Sequence, residues 1–286
     1  MKRIIQFTSI IFIFVISLNG QGNQDTTRQY IHDIFYSTHI VNSHSIKQLT
    51  KNSLDFVIYH RFGNISGGID EFFGLDVSTI RFALQYAITD KVTIGIGRSS
   101  YKKNYDGFLK INILTQCISK TKSIPVSMTY FAGMEIFSKK FEHPERKNLF
   151  SSRISYIHQL LIARKFNENI SLQLMPTILH RNLVKKKSDP NDIFALGLGG
   201  RFKLSYNKAL TFEYYKIIND NKITSSHHDF LAIGFDIETA LHTFQFSVSN
   251  SYLMQEAGFI AGQNNGDFFN GDLYLGFNIT RLFYLE

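Results

Sequence analysis

The chain has 286 residues, 44% of them hydrophobic and 14% aromatic, with 31 Lys and Arg against 23 Asp and Glu for a net charge of +8. A single cysteine, Cys117, excludes an internal disulfide framework, and charged or polar residues interrupt every apolar run after the first twenty residues, which excludes a helical membrane span in that part of the chain. The basic residues fall mostly in gaps between patterned segments (Lys139, Lys140, Arg146, Lys147, Lys185, Lys186, Lys187) and no nucleic-acid motif accompanies them, so nucleic acid is not an expected partner.

Residues 1–20 read as a signal peptide. Lys2 and Arg3 form a positive start, Ile4 to Leu18 is a nearly continuous apolar run, and Asn19-Gly20 is a polar exit. At about 15 residues the run is shorter than the roughly 20 a spanning helix needs. No cysteine follows it to accept a lipid, so the expected product is secreted and not lipidated, with 29 basic against 23 acidic residues. Residues 21–52 lack a period of two and are expected to form an N-terminal leader, with a short amphipathic helix over Tyr30–Tyr36.

From Leu54 onward the pattern changes. Short stretches alternate apolar and polar residues, as half-buried strands do. Leu54-Phe56-Ile58 alternates with Asp55-Val57-Tyr59-Arg61, and Ile80-Phe82-Leu84-Tyr86-Ile88 with Arg81-Ala83-Gln85-Ala87. Val92-Ile94-Ile96, Leu109-Ile111-Ile113 and Val126–Ile136 follow. Ile154–Arg164 is apolar on both faces, which leaves its register open. Ile170–Ile178, Phe194–Leu204, Leu210–Tyr214, Leu231–Ile237, Phe244–Val248 and Leu273–Ile279 complete a set of about 12. Pro176 removes a ladder donor, and a bulge there is the simplest accommodation.

The connections alternate between tight turns (89–91, 167–169, 207–208, 239–242) and long loops (63–77, 137–150, 181–192, 217–227, 250–270), provided 99–105 counts as long and 119–123 as short. That asymmetry is the signature of an outer-membrane barrel. The expected fold is therefore all-β: a closed up-and-down antiparallel β-barrel of outer-membrane type over residues 53–286. Small residues on the polar face (Gly95, Gly97, Gly197, Gly199, Gly234, Gly276) and the space enclosed by so many strands turn the apolar face toward lipid. The expected lumen-lining residues are then Arg61, Arg81, Lys110, Arg201, Lys203, Glu213, Asp236 and Glu238. Aromatic residues near strand ends, such as Tyr59, Phe62, Tyr86, Tyr130, Tyr206 and Phe283, suit interfacial girdles.

Particular stretches also resemble a known family. His60-Arg61-Phe62-Gly63, Phe72-Phe73-Gly74-Leu75-Asp76, Ile80-Arg81-Phe82, Gly95–Tyr101 and Tyr105–Lys110, with Val41–Ser45 upstream and Gly271–Ile279 at the end, are similar to a domain-of-unknown-function family of β-barrel proteins described from Bacteroidota-type bacteria. The resemblance is dense over 41–116 and sparse over 140–270. It implies a barrel in the cell envelope and carries no reaction with it.

Chemistry leaves few marks. His32, His39 and His44 have spacings unsuited to one metal on a helix, and only a folded-back loop would bring them together. No metal site or cofactor is expected. Ser155 with His158, or Ser127 with His180, have the residue types of a nucleophile and base, but no Gly-x-Ser-x-Gly elbow supports a hydrolase. Gly95–Ser100 lies in a strand and its exit, with no helix after it, and does not form a phosphate loop. Two classes remain: a narrow pore or uptake channel for small polar or anionic solutes, with a lumen whose charges set selectivity, and a structural or binding barrel plugged by paired charges. A membrane lipid hydrolase is the third and least supported reading. The loop 250–270, with Phe259, Ile260, Phe268 and Phe269, suits an inward-folded constriction in either class.

Overall fold

The computed structural model describes residues 28–285 apart from 121, 142–143, 146, 185, 220–226 and 262–264; the expected signal peptide lies outside the described residues. Among the described residues fourteen strands are formed: β1 (Gln29–Tyr30), β2 (Ser53–Asn64), β3 (Ser78–Thr89), β4 (Val92–Ser99), β5 (Asn104–Leu114), β6 (Cys117–Ile118), β7 (Ser127–Phe137), β8 (Ile154–Lys165), β9 (Ile170–Arg181), β10 (Asp192–Lys203), β11 (Lys208–Ile217), β12 (Phe230–Glu238), β13 (His242–Ser249) and β14 (Tyr274–Tyr284). Twelve of them, β2–β5 and β7–β14, close into an antiparallel barrel, each paired with its neighbour in sequence; β14 returns to β2 through pairs such as Phe277↔His60 and Tyr284↔Ser53. Closure removes every free edge, so the backbone can sit in lipid with its donors and acceptors satisfied. Among the described residues no helix is long and apolar enough to cross a membrane.

The alternation sorts the faces as the sequence implies. Along β2, Asp55, Val57, Tyr59 and Arg61 are buried while Leu54, Phe56, Ile58 and His60 are partly exposed. Along β3, Arg81, Ala83, Gln85 and Ala87 point in, and Phe82, Leu84 and Ile88 point out. In β8, Ser155, Ile157, Gln159, Leu161 and Ala163 face the lumen, which fixes the register that sequence left open. Ile157, Leu161 and Ala163 make that inner face partly apolar, because it packs against chain inside the barrel, described below.

Three expectations are corrected. Tyr30–Tyr36 is not helical: Tyr30 lies in β1, paired with Cys117 of β6, and the residues after it enter the lumen without regular secondary structure. Ile34, Phe35 and Tyr36 are all buried, so there is no solvent side for an amphipathic helix to present. Pro176 causes no bulge. The β8–β9 ladder keeps one register from Gln159↔Thr177 to Ile162↔Leu174, and Pro176 itself pairs with Leu196 of β10. Nor is the alternation of loop lengths strict, because residues 100–103 make a tight connection at the loop end while 115–126 is long at the turn end. The latter is folded by β6, which pairs with β1 and bridges Cys117 to Ile124.

Candidate functional site: a lumen filled from both ends

The leader enters the barrel from the turn end. Lys165 holds Asp33 at 2.7 Å, and the Tyr36 hydroxyl donates to the Ser205 and Tyr206 carbonyls at 3.3 Å. The chain then climbs the lumen, reverses at Ile40–Ser43 and descends to Ser53, where β2 begins. The reversal is a hairpin: Ile40 N donates to Ser43 O and Ser45 N to Thr38 O, each at 2.9 Å. His39 and His44 face each other across it with ring centroids 4.2 Å apart. The folded-back loop needed to join two of the leader histidines is thus present. Among the described residues, no group of three or more His, Cys, Asp or Glu is arranged to hold a metal.

At the hairpin tip three successive amides converge on one carboxylate. Val41 N and Asn42 N donate to Glu213 Oε2 at 3.0 Å, Ser43 N donates to Oε1 at 3.0 Å, and Ser43 Oγ donates to Oε1 at 2.5 Å. Successive N–H groups at a tight turn form a concave anion cradle; here the wall supplies the anion and the hairpin the cradle. Around it Arg61 donates to Asn42 Oδ1 at 2.6 Å, Asn278 to Val41 O at 2.8 Å, and Gln245 to His39 O and Ile40 O at 3.3 and 2.8 Å. Lower down, Lys110 donates to Ser45 O and Lys47 O at 2.9 Å, while Gln173 accepts from Ile46 N and donates to His44 O. The hairpin side chains lie in gaps of the wall. A Cβ on Gly199 would sit 2.4 Å from Ile40 Cδ1, and one on Gly234 3.2 Å from Val41 Cγ2. These inward glycines make room for the occupant.

From the other end, the β13–β14 connection folds inward and carries a short helix, α1 (Glu256–Ala261). Phe259 is fully buried and packs on Phe230 and Tyr215 at centroid distances of 4.5 and 5.8 Å. Ala257 N donates to Glu135 at 2.7 Å, and Asn42 Nδ2 of the hairpin donates to Leu253 O at 3.0 Å, so the two inserts meet mid-barrel. Burial pushes the Glu256 carboxyl up to about 8, with the Glu135 carboxylate adding to the shift. Beside it His44 Nε2 stands 3.9 Å from Glu256 Oε1. The space left between His44, Glu135, Glu256 and Phe131 is about 10 Å³, room for one water molecule.

Of the eight residues expected to line the lumen, six (Arg61, Arg81, Lys110, Arg201, Glu213 and Asp236) are buried on the inner face. Lys203 and Glu238 lie half-buried at the turn end, where Glu238 meets Lys47 of the leader at 3.5 Å. Arg81 pairs bidentately with Asp106 at 2.9 and 2.5 Å. Arg201 stacks its guanidinium 4.6 Å from the centre of the Tyr36 ring, and its three nitrogens have no hydrogen-bond partner among the described residues. Burial and the cationic neighbours Arg81, Lys110 and Arg61 hold the His39 imidazole well below its ordinary value; burial and His39, Lys110 and Arg81 do the same for His44.

The serine–histidine pairs are not assembled. Ser155 faces the lumen, whereas His158 faces outward and contacts the Tyr130 hydroxyl at 2.7 Å. Ser127 opens β7 at the turn end and His180 lies near the loop end of β9, bound to Asp192. What sequence reasoning missed is the hairpin. Its signal was the absence of any charge between Asp33 and Lys47, unusual for a leader meant to lie in water. The wall residues that grip it, Gln173, Gln245 and Asn278, are neutral amides and drew no attention.

A closed antiparallel barrel with aliphatic residues on its outer face and buried charged and amide groups on its inner face defines a membrane β-barrel. The chain belongs to the family described as membrane bound beta barrel domain (DUF5777), whose model matches residues 35–283 and so includes the hairpin. No curated protein sequence matches it. Among solved structures it is similar to the NanC porin (TM-score 0.49, 7% identity, covering 82% of this chain and 100% of that one) and to the KdgM porin (0.47, 8%, 80% and 98%). A mutant of the Rh. blastica porin shows a lower likeness (0.33, 12%, 72% and 55%).

Proposed function

We propose that this chain is an outer-membrane pore for small polar solutes, not an enzyme, exported by its signal peptide and held shut by the leader hairpin in the state described here. One observation carries the reading. The hairpin is not part of the sheet; its backbone is bound to the strands through wall side chains, so it can leave without breaking a rung of the barrel. Emptied, the lumen would present Arg61, Lys110, Glu213 and the Arg81–Asp106 pair to a solute, and these groups would set its preference among ions.

A second reading, a permanently plugged structural or binding barrel, is favoured by the apolar packing of Ile34, Phe35, Ile40, Val41 and Ile46 in one cluster with the wall and α1. The same experiment separates the two. The protein should fractionate with the outer membrane and migrate faster on a gel unboiled than boiled. In planar bilayers Glu213→Ala, which strips the partner from four hairpin donors, should raise mean current at least about tenfold over the native chain, the effect of only about 1.4 kcal/mol in the seating equilibrium. Native and variant chains that are both silent overturn the pore and leave the plugged barrel.

A further inference from the structure

A short polar solute would need only a wet lumen, yet the wall here is fitted to something more specific. Between His39 and Lys47 four amides (Val41, Asn42, Ser43, Ile46) and six carbonyls (His39, Ile40, Val41, His44, Ser45, Lys47) are met by wall side chains. Five residues do this, one from each of five strands: Lys110, Gln173, Glu213, Gln245 and Asn278. Gln173 accepts from one backbone amide and donates to a nearby carbonyl, at 2.7 and 2.9 Å, the reciprocal contact a strand would make. Groups that bind main chain do not depend on side-chain identity, and this is how peptides are held irrespective of sequence. Beside them the wall offers room for two successive aliphatic side chains, the slots opposite Gly199 and Gly234 that hold Ile40 and Val41.

We infer that the lumen is a binding site for short peptides with aliphatic side chains, and that the leader hairpin occupies it as an internal stand-in for such a ligand. The inference rests on the pore reading and deepens it, because the solute class becomes peptide instead of any small polar molecule. A sugar has hydroxyls to offer Lys110 and the amides but no run of three N–H groups for Glu213, and no branched aliphatic groups for the glycine slots. Lys110 adds a preference for a carbonyl-rich turn or a carboxyl terminus near the middle of the barrel. Tethering makes the hairpin a strong competitor through its high effective concentration, so a free peptide binds measurably only where the hairpin is weakened.

The chain has no tryptophan, so a peptide matching residues 38–46 with one added tryptophan is the only indole in the sample. The full-length Val41→Asp protein, altered in the hairpin and not in the wall, should enhance and blue-shift that fluorescence saturably. The native protein should bind at least about tenfold more weakly, since its site is mostly filled. An unrelated aliphatic peptide should compete, and a neutral maltooligosaccharide of similar length should not. Ile40→Ala, a milder change, serves the same purpose should Val41→Asp fail the heat-shift test of barrel closure. Current recorded on the same samples separates the two claims. Open current with no peptide binding, or with equal competition by the oligosaccharide, overturns the peptide inference and leaves the pore. Saturable binding without current supports the site and overturns the pore.

Discussion

The lumen has two unlike walls. The arc β13–β14–β2–β3–β4–β5 is polar: Gln245, Asn278, Asp55, Tyr59, Arg61, Arg81, Gln85 and Lys110 face inward. The arc β7–β12 carries the large aliphatic and aromatic residues Phe131, Ile157, Leu161, Met175, Leu179, Ile193 and Phe230, with Glu135, Gln173, Arg201, Glu213 and Asp236 set among them. On the lipid side the two arcs are alike. The difference shows that a barrel wall answers two solvents at once: lipid demands the same of every strand, while the inside is dictated by whatever fills it. The hairpin spans both walls, and α1 rests mainly on the apolar one.

If so, the two inserts should come loose separately. Phe259→Ala removes a fully buried ring from between Phe230 and Tyr215, a loss of about 3–5 kcal/mol for a buried aromatic. Limited proteolysis should then cut near residues 250–270 and spare 34–50. Glu213→Ala should do the reverse, since it orphans the tip donors at about 1–3 kcal/mol each and leaves the seat of α1 intact. Cleavage of both segments in either variant would mean that the inserts form one unit and that the division between walls has no energetic meaning. A smaller effect is expected of Gly199→Val, which crowds Ile40 from the wall side at about 1–3 kcal/mol and should expose residues 34–50 only in part.

How far the sequence alone reached follows from the same division. Strand positions, lipid face and closure were legible because lipid enforces a period of two at Leu54-Phe56-Ile58 or Phe194-Leu196-Leu198 whatever lies inside. On the polar arc the inner face was legible too, as the second set of residues in the alternation. On β8 it was not: Ile157 and Leu161 face the inserts while Ile154, Leu160 and Ile162 face outward, so both sets are apolar and alternation disappears. The expected helix over Tyr30–Tyr36 fails for a related reason, since that segment is held by distant groups: Ile31 N donates to Gln116 O, Asp33 meets Lys165, and Tyr36 bonds the Ser205 and Tyr206 carbonyls. The hairpin beyond it likewise bonds Glu213, Gln173, Gln245 and Asn278, more than a hundred residues away in sequence, and no local pattern records such contacts.

Acidity should tell the inserts apart with a gentler hand. His39 and His44 are held well below the ordinary imidazole value when seated, and return to about 6.5 when the hairpin is in water. The released hairpin therefore binds more protons, so seating is at full strength above about pH 6.5 and weakens as pH falls below it. The groups facing the pair have the matching sign: Arg61, Arg81 and Lys110 from the strands repel a second cation, Tyr59 and Thr38 bond His39, and Glu256 of α1 stands 3.9 Å from His44. Glu256 works the other way. With its carboxyl at about 8 when seated and about 4.5 when exposed, its share of loop seating is full in acid and is lost as pH rises through 8. Proteolysis of 34–50 should thus increase from pH 7.5 to 5.5 and that of 250–270 from pH 6 to 9. Parallel rather than opposed profiles would remove the histidines and Glu256 as the titrating groups.

The smallest effect expected is on ion preference, and it tests whether the polar wall faces the solute at all. In the filled lumen Arg81 is neutralised by Asp106 and lies 4.6 Å over the Tyr59 ring, so it carries little free field. Arg81→Glu places two carboxylates side by side where one ion pair stood, a change of two charges on the polar wall near the loop end. In a background loosened by Glu213→Ala, the permeability ratio of chloride to potassium should fall about twofold to fivefold, the effect of well under 1.4 kcal/mol. In the native background the change should be invisible, because the hairpin shields that wall. A shift of equal size with the hairpin seated would mean that ions pass between hairpin and wall, making the hairpin a lining of the pore and not its stopper.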